Sequence, residues 1–456
     1  MKPKISVILP SLNVADYIDQ CVESVRTQTL KEIEIICIDA GSDDGTLEKL
    51  RGYESQDKRI KVLISDKRSY GYQMNMAIKE AEGDYIGIVE TDDFIDPDMY
   101  EVLYENSDAG YIDVIKGILY DLYEHYDGNG FTEILVDYIP EGYKSSDIIS
   151  PDINPEIHYW DGNIWNGIYR REFLLDNDIS FNETAGAAFQ DIGFQQTVLN
   201  KAVSTRYLHA HFYHYRKVRE GASTWNPKCL EFIYYEYKKL IQGGNIKESH
   251  RRYLYKRMAV AYMYEINKAL SYCGYDYSRI SCPDAVDWFK DEIMKAFNSG
   301  IILFDDIPLV DRNDLFRFIL NPKQYACDYG RRMKKIAERL SSIKDQSKGY
   351  ELAIFGAGEY GTLLTCFLIC NGVKVSYIVD NQRNRNDNYK FDIRIMTLDD
   401  ALRNKRELFF LIANKRSWES IQDQLIQKKV PLDRITHFDG TDDEILDTML
   451  RLPILV

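Results

Sequence analysis

Three carboxylates stand in four consecutive positions at Glu90-Thr91-Asp92-Asp93, directly after the apolar run Tyr85–Val89. Negative charges this close repel one another unless a cation lies among them. A divalent cation such as Mn²⁺ or Mg²⁺ takes hard oxygen ligands and keeps positions open for phosphate oxygens. The segment therefore predicts a metal site that serves a diphosphate. A solvated loop tip, in which Asp96-Pro97 begins the next helix, is the alternative.

A glycine-rich loop near the other end of the chain could also bind a ligand. Gly356-Ala357-Gly358-Glu359-Tyr360-Gly361 matches the GxGxxG pattern between an apolar run and a helical pattern, and Asp380 follows the next apolar run. This context predicts a Rossmann-like unit. NAD or another nucleotide is one interpretation of the loop, and a unit that only packs or dimerises is the other. No Tyr-x-x-x-Lys pair lies beside the loop, which disfavours hydride transfer.

The first hundred residues alternate apolar runs with amphipathic patterns. The predicted strands are 5–9, 33–38, 60–64 and 85–89, and the predicted helices are 15–28, 46–53 and 71–82. Near-continuous apolar strands that alternate with helices indicate a parallel sheet covered on both faces. Ligands bind at the carboxyl ends of such strands. We therefore expect the segments 10–13, 39–42 and 90–93 to meet at one edge.

The remainder of the chain divides by pattern. Residues 110–225 mix short apolar runs with loops, a helical pattern follows to about 347, and an α/β pattern begins near Tyr350. We expect an α/β protein with three domains: a catalytic domain at 1–225, a helical linker or acceptor-side region at 226–347, and a Rossmann-like domain at 348–456.

The composition restricts the function classes. The 456 residues are 45% hydrophobic and 28% charged, which is typical of a globular protein of two or three domains. The net charge of −15 argues against a general nucleic-acid binder. Eight cysteines without a CxxC pair favour a reduced, cytoplasmic compartment. No run approaches the roughly 20 apolar residues of a membrane span, so we expect at most peripheral contact at the inner face of the membrane.

Four segments resemble, in order, those of the family 2 glycosyltransferases with the GT-A fold. They are ISVILPSLN, IEIICIDAGSDDGT, AEGDYIGIVETDDFIDP and FQDIGF, and together they extend over about residues 4–220. The resemblance implies an enzyme that moves a sugar from a nucleotide-diphosphate donor to an acceptor hydroxyl. It also implies inversion at the anomeric carbon and the use of a divalent metal.

The resemblance assigns roles residue by residue. It implies a nucleoside pocket lined by Pro10, Ser11 and Asn13, a base-reading segment at Asp39, acids that meet ribose and metal at Asp92 and Asp93, and a catalytic base at Asp191. The chemistry agrees with the last of these, because inversion by direct displacement needs a general base within hydrogen-bond reach of the acceptor hydroxyl. A helix-capping role for Asp191 is compatible with that function.

Four positions depart from the family pattern. Glu90 stands where Asp is usual, and Ala40 follows Asp39 where a second acid is usual, which weakens the expectation of uridine. Met74 replaces an arginine, so Lys67 or Arg68 is expected to carry the charge that meets the donor. Gln190 precedes the base where Glu is common.

Six further side chains are candidates for the site. His214, in HAHFYHYR, is a candidate additional metal ligand, and the basic residues Arg216, Lys217 and Arg219 after it could contact the diphosphate. Trp160 and Trp165 are candidates for stacking on acceptor sugars, with a core position as the alternative for each.

The sequence therefore predicts a metal-dependent inverting glycosyltransferase of bacterial surface glycan or glycoconjugate synthesis. We expect a UDP-sugar donor, Mn²⁺ or Mg²⁺ as cofactor, and a glycan, glycolipid or glycoprotein acceptor. Two alternatives stay open: a nucleotide-binding scaffold with an inactive transferase domain, and an NAD-dependent sugar oxidoreductase that uses the C-terminal unit. A homodimer is also left open.

Overall fold

The computed structural model describes residues 2–124, 131–217, 226–244, 246–381, 389–391, 393–403, 407–414 and 417–437. They fall into two compact units. The first unit is drawn from Met1–Leu122, Leu135–Cys273 and Ser278–Pro322, and the second from Tyr123–Ile134, Gly274–Tyr277 and Lys323–Val456.

The first unit combines a mixed sheet with helices. The elements up to residue 320, in chain order, are β1 (Ile5–Ser11), α1 (Ile18–Arg26), β2 (Ile33–Asp39), α2 (Thr46–Gln56), β3 (Ile60–Ile64), α3 (Tyr70–Glu80), β4 (Tyr85–Ile88), β5 (Phe94–Ile95), α4 (Met99–Glu105), β6 (Val114–Glu124), β7 (Phe131–Val136), α5 (Ile157–Trp160), β8 (Gly167–Arg170), α6 (Arg171–Asp176), α7 (Gln190–Lys201), β9 (Thr205–Arg216), α8 (Cys229–Gln242), α9 (Glu248–Tyr272), α10 (Pro283–Asn298) and α11 (Leu309–Leu320). The end of β6, from Tyr123, and the start of β7, up to Ile134, are grouped with the second unit.

The sheet has the order β3-β2-β1-β4-β8-β6-β9-β5, with β7 beside β6. Strands β1 to β4 pair in parallel, as the sequence predicts, and β8 joins β4 in the antiparallel direction. All seven residues of β1 are buried, because the helices cover this part of the sheet on both faces. Helix α1 contributes its buried face of Ile18, Cys21, Val22 and Val25.

The carboxyl ends of the first strands meet as expected. Ser11 pairs with Asp39 across β1 and β2. After β4, Val89 N donates to Ile8 O (3.1 Å) and Thr91 Oγ1 donates to Pro10 O (2.7 Å). The acidic segment, Glu90–Asp93, therefore lies beside the carboxyl ends of β1 and β2.

The helices after β9 belong to the first unit. Helix α8 packs against α7, and α9 packs against α8 and α5. This grouping places α8–α11 with the sheet, whereas the sequence predicts a separate region from residue 226. The domain boundaries at 225 and 347 stay a prediction.

The second unit contains a smaller sheet that is largely parallel. Its elements are α12 (Pro322–Gln346), β10 (Glu351–Phe355), α13 (Glu359–Cys370), β11 (Tyr377–Val379), β12 (Tyr389–Lys390), β13 (Ile393–Met396), α14 (Leu398–Arg403), β14 (Leu408–Ile412), α15 (Trp418–Gln427) and β15 (Ile435–His437). The order is β12-β13-β11-β10-β14-β15, and every pairing except β12 with β13 is parallel. The second, largely parallel sheet with its helices agrees with the predicted α/β pattern, and a Rossmann-like domain at 348–456 stays a prediction. None of the described helices has both the length and the apolar character that a bilayer span requires.

Candidate active site

The loop after β1 is fixed to the loop after β2 by its own polar groups. Asn13 has a positive φ of 53°, a conformation that Asn tolerates better than most residues. Its N–H donates to Ser42 Oγ (3.0 Å), and its Oδ1 accepts from Asp43 N (3.0 Å). Pro10 and Ser11 lie on the buried strand just before it. The predicted nucleoside-pocket residues are therefore adjacent to the predicted base-reading segment.

Asp39 shapes the turn that follows it. Its side chain is fully buried, and Oδ1 accepts from Gly41 N and Ser42 N, both at 2.9 Å. Gly41 has a φ of 84°, which suits a tight turn. From the other side, Arg68 Nη2 donates to Gly41 O (2.9 Å). Asp39 thus directs its carboxylate into its own loop, and contact with a base stays a prediction.

The three carboxylates of the acidic segment face different partners. Glu90 accepts from the Tyr70 hydroxyl (2.6 Å). Asp93 is fully buried, with Oδ2 accepting from the Tyr213 hydroxyl and Oδ1 from Arg216 N, both at 2.8 Å. Burial and the negative charge of Asp92 raise the pKa of Asp93 well above its ordinary value. Asp92 is half-buried, and its backbone oxygen accepts from the Arg216 guanidinium.

This donor set fits a metal that is held partly by its substrate. Among the described residues, no group of three or more His, Cys, Asp and Glu side chains is arranged to hold a metal ion. Both oxygens of Asp93 accept protein hydrogen bonds, whereas Asp92 is partly open to solvent. Mg²⁺ sites commonly use one or two carboxylates plus substrate phosphates. Asp92 therefore suits the role of ligand better than Asp93.

His214 lies on the other side of β9 from the tyrosines. Its ring stacks on Phe94 (centroids 4.3 Å apart), and Nε2 lies 3.2 Å from Asp96 Oδ1. The sequence-based interpretation of Asp96 as the start of a helix is wrong, because α4 begins at Met99 after Asp98, and Asp96 faces His214 instead. A metal-ligand role for His214 stays a prediction. Of the basic residues after it, Arg219 lies outside the described residues.

Asp191 lies in the first turn of α7, just after a strained residue. Phe189, the residue before the helix, has a positive φ of 66°. Gln190 braces the preceding loop: its Oε1 accepts from Ala188 N (2.8 Å) and its Nε2 donates to Thr184 Oγ1 (2.9 Å). Burial raises the pKa of Asp191, and the Arg257 guanidinium opposes that rise. A raised pKa makes a carboxylate a stronger base.

Two tyrosines connect the acidic segment with Asp191. Burial raises the pKa of Tyr215, and the negative charges of Asp93, Asp92, Asp121 and Asp191 raise it further. For Tyr70, burial, then Glu90 and then Asp191 raise the pKa. A backbone contact gives the same connection for Tyr70, because its N–H donates to Gly186 O (2.9 Å), five residues before Asp191. About a hundred residues of sequence separate the acidic segment from Asp191.

The other predicted site residues occupy varied positions. Lys67 is exposed, with Nζ 3.8 Å from Glu183 Oε2 and 4.0 Å from the Tyr72 ring centroid. Met74 is fully buried. Trp165 is 7% exposed and stacks on Tyr213, and Trp160 packs against Tyr207, so both rings lie in aromatic clusters. Donor and acceptor roles for Lys67, Arg68, Trp160 and Trp165 stay predictions.

In the second unit, the glycine loop is held by its own aspartate. Gly356 has a φ of 125°, and a Cβ at Gly361 would lie 1.8 Å from Gly356 O, so close packing requires glycine there. A Cβ added at Gly358 would have no neighbouring atom within 4 Å. Asp380 Oδ2 accepts from Ala357 N (2.8 Å). The loop geometry follows the fingerprint, and ligand binding there stays a prediction.

Sequence reasoning missed several residues that lie near the acidic segment or near Asp191. Tyr213 and Tyr215 fall within HAHFYHYR, and their two-residue spacing on a strand would have placed them on one face. Arg257 lies on α9 and donates from Nη1 to Tyr159 O (2.8 Å), and Glu236 lies on α8. The helical pattern of these two segments gives no signal that they reach the site.

Comparisons with known proteins agree with this geometry. Residues 6–155 match the family model described as Glycosyl transferase family 2. The uncharacterized glycosyltransferase EpsJ of Bacillus subtilis (strain 168) is 28% identical over 247 residues, which are 52% of this chain and 65% of EpsJ. Glycosyltransferase GlyG of Streptococcus pneumoniae serotype 4 is 38% identical over 130 residues, which are 28% of this chain and 43% of GlyG. The chain thus spans less than two thirds of either relative.

A solved structure supports the fold. The crystal structure of S. aureus TarS 1-349 in complex with UDP-GlcNAc aligns with a TM-score of 0.50 and 20% identity, over 74% of this chain and 92% of that chain. The predicted GT-A fold is confirmed. Residues 6–155, about a third of the chain, are thus similar to glycosyl transferase family 2.

Proposed function

We propose that this chain transfers a glycosyl group from a nucleotide-diphosphate sugar to an acceptor hydroxyl, with inversion and with a divalent metal. The observation that carries the proposal is that Tyr70 contacts both parts of the site: its hydroxyl donates to Glu90 (2.6 Å), and its N–H donates to Gly186 O (2.9 Å) in the loop that leads to Asp191. A leaving-group site and a general base on two walls of one region suit a direct displacement. The match of residues 6–155 to the model of glycosyl transferase family 2 supports the same chemistry.

In this mechanism, Asp191 accepts the proton of the acceptor hydroxyl as its oxygen attacks the anomeric carbon. A carbon–oxygen bond forms on one face, and the bond to the diphosphate breaks on the opposite face, so the configuration inverts. A divalent cation held by Asp92 and the donor would neutralise the charge on the departing diphosphate. Raising the pKa of Asp191 by burial increases its affinity for the transferred proton.

We propose a UDP-sugar as the donor and a bacterial surface glycan or glycoconjugate as the acceptor. TarS, whose fold is similar, was crystallised with UDP-GlcNAc, and the relatives with similar sequence include bacterial glycosyltransferases. The nucleoside would lie against Pro10, Ser11 and Asn13, with Lys67 and Arg68 near the diphosphate. Trp160 and Trp165 are the proposed acceptor-side aromatics, and a cytoplasmic location would give access to nucleotide sugars.

The test is turnover of a panel of UDP-, GDP- and TDP-sugars with Mn²⁺, with water as the acceptor and release of the nucleoside diphosphate as the signal. We expect Asp191→Asn to lower kcat by about 10²–10⁴-fold. Asp92→Asn should raise the Mn²⁺ concentration needed for half-maximal rate, and EDTA should stop turnover until Mn²⁺ is restored. Asp176→Asn, at an exposed residue of α6, is the matched control and should keep the wild-type rate.

Wild-type rates in both Asp191→Asn and Asp92→Asn would overturn the mechanism. Release of nucleoside diphosphate that is unaffected by EDTA would overturn the metal requirement alone.

A further inference from the structure

A carboxyl group from α8 lies against the segment that leads to Asp191. Glu236 is 2% exposed, and its Oε1 accepts from Asn182 Nδ2 (3.1 Å). A Cβ built on Gly193 would lie 2.2 Å from Glu236 Oε2, so the carboxyl group occupies the space that a side chain at 193 would take. Glu236 therefore contacts the chain on both sides of Asp191, nine residues before it and two residues after it.

Asn182 is clamped from several directions. Its Oδ1 accepts from Lys239 Nζ (2.6 Å), one turn along α8 from Glu236. On the opposite side, a Cβ at Gly71 of α3 would lie 1.9 Å from Asn182 O. Both oxygens and the side-chain amide nitrogen of Asn182 thus lie in close contact with α3 or α8. This residue is a fixed point at the start of the segment 182–190.

The end of the segment needs such support. Phe189 adopts a left-handed conformation immediately before Gln190 and Asp191, and such a conformation is unfavourable for a bulky residue unless its surroundings impose it. The middle of the segment is tied to α3, because Gly186 N donates to Arg68 O and Tyr70 N donates to Gly186 O, both at 2.9 Å. Glu236 and Lys239 supply the contacts that α8 makes with Asn182.

We propose that Glu236 is a positioning residue for Asp191: it holds Asn182 and Gly193 so that the segment 182–190 presents Asp191 to the acceptor. The inference rests on the proposed function for its kinetic consequence, while the structural part stands on the contacts above. It assigns a role in the site to a helix beyond residues 6–155, the part that matches the family model.

The role requires a side chain at position 236 that is long enough to reach Asn182 and that has an oxygen to accept its hydrogen bond. It does not require a negative charge. Glu236→Gln keeps an acceptor oxygen for Asn182 Nδ2, whereas Glu236→Ala removes it and leaves a gap beside Gly193. Glu231→Ala is the matched control, because Glu231 lies on the same helix and accepts from Tyr235 at the exposed side.

The experiment measures two quantities on the full chain: amide hydrogen exchange of peptides from 182–193, and nucleoside diphosphate release from the sugar panel with Mn²⁺. We expect Glu236→Ala to raise exchange in 182–190 at least tenfold and to lower kcat at least tenfold with little change in the donor KM. Exchange in β1 should stay at the wild-type level. Glu236→Gln and Glu231→Ala should match the wild type in both measurements.

Gly193→Ala provides an independent arm. The added methyl group would displace the Glu236 carboxyl group, so the single variant should resemble Glu236→Ala. In the double variant the methyl group enters the vacated space, and the two effects should not add.

The outcomes separate the two proposals. Wild-type exchange and wild-type kcat in Glu236→Ala would overturn the positioning role, as would a Glu236→Gln variant whose exchange rises as much as that of Glu236→Ala. If the unaltered chain turns over none of the sugars but Glu236→Ala still loosens 182–190, the proposed function fails and the clamp on Asn182 stands.

Discussion

A single hydroxyl group connects both ends of the acidic segment. The Tyr213 hydroxyl accepts from Glu90 N (3.0 Å) and donates to Asp93 Oδ2 (2.8 Å), and the side chains of Tyr213 and Asp93 are both fully buried. This hydroxyl compensates for the burial of Asp93, which would otherwise be costly. It also fixes the backbone on which Asp92 stands, so its effect extends to any ligand that Asp92 binds.

We expect Tyr213→Phe to lower the free energy of unfolding by about 1–3 kcal/mol, because a buried amide and a buried carboxyl group each lose a partner. Urea unfolding measures this change, and the donor KM should rise in the same variant. Tyr111→Phe, at a residue 81% exposed, should change stability by less than about 0.5 kcal/mol. Equal stability of the two variants would contradict the role given to Tyr213.

Glu236 predicts a dependence of stability on pH. Burial, opposed by the Asn182 hydrogen bond and reinforced by the charge of Asp191, raises the pKa of Glu236 from 4.5 to about 7. Lys239 on α8 lowers it, and Arg257 faces Asp191 from α9. Since the folded state binds this proton more tightly than the unfolded state, the stability that it contributes is lost as pH rises from about 4.5 to about 7.

Glu236→Gln cannot lose that proton. Its stability relative to the wild type should therefore increase by about 2–3 kcal/mol between pH 5 and pH 8, as measured by urea unfolding at the two pH values. Glu231→Gln is the control for a carboxylate on the same helix. A difference between Glu236→Gln and the wild type that stays constant with pH would show that Glu236 titrates normally.

At the scale of elements, strand alternation separates two sets of side chains on β9. Tyr213 and Tyr215 both stack on Trp165, whereas His214 and Arg216 both contact Phe94. Successive side chains of a strand point to opposite faces. These four residues therefore pack against Trp165 with one face of the strand and against Phe94 of β5 with the other.

The backbone of helix α13 packs closely against the loop that follows β10. A methyl group at Gly361 would meet Gly356 O at 1.8 Å, whereas nothing lies within 4 Å of a methyl group at Gly358. Gly361→Ala should thus lower the stability of the second unit by about 1–3 kcal/mol through overpacking. Hydrogen exchange of β10 and β14 in increasing urea measures this, with Gly358→Ala as the control of near wild-type stability. Equal exchange in the two variants would mean that α13 shifts at little cost.

The sequence predicts the parallel elements well, because each has a local signal. The strand 60–64 and the helix near 71–82 follow from apolar periodicity alone, and the meeting of the segments after β1, β2 and β4 follows from the direction of parallel strands. The contacts that decide individual roles are not local. Asp93 and Asp92 have the same chemistry in the sequence, and the structure distinguishes them because Tyr213 and Arg216, 120 and 123 positions after Asp93, donate hydrogen bonds to its carboxylate.

Helices α8 and α9 illustrate the same limit. Their apolar spacing predicts buried helices, which the structure contains. Which polar residue of such a helix is buried depends on the surface that it packs against. Glu236 and Arg257 approach the site only because α7 and α5 lie beneath these helices, and no pattern within residues 226–272 encodes that arrangement.

At the scale of the whole molecule, the charge distribution opposes the proposed ligand except near the site. The net charge is −15, and a nucleoside diphosphate is also an anion. Exposed Lys67 and Arg68 stand beside the loop of Gly41, and Arg216 lies beside the acidic segment. Because the field of distant charges is screened within about 10 Å at 0.1 M salt, these nearby cations and a bound metal would dominate the attraction.

The position of α8 and α9 in the first unit also matters for the construction of chimaeras between this chain and its relatives. An engineer who joins residues 1–225 of this chain to the remainder of a relative would keep Asp191 but replace Glu236, Lys239 and Arg257. The chimaera would contain every residue that the family pattern assigns, yet its base would rest on foreign helices. A junction after residue 322, where the first unit ends, keeps the base and its supports in one inherited block.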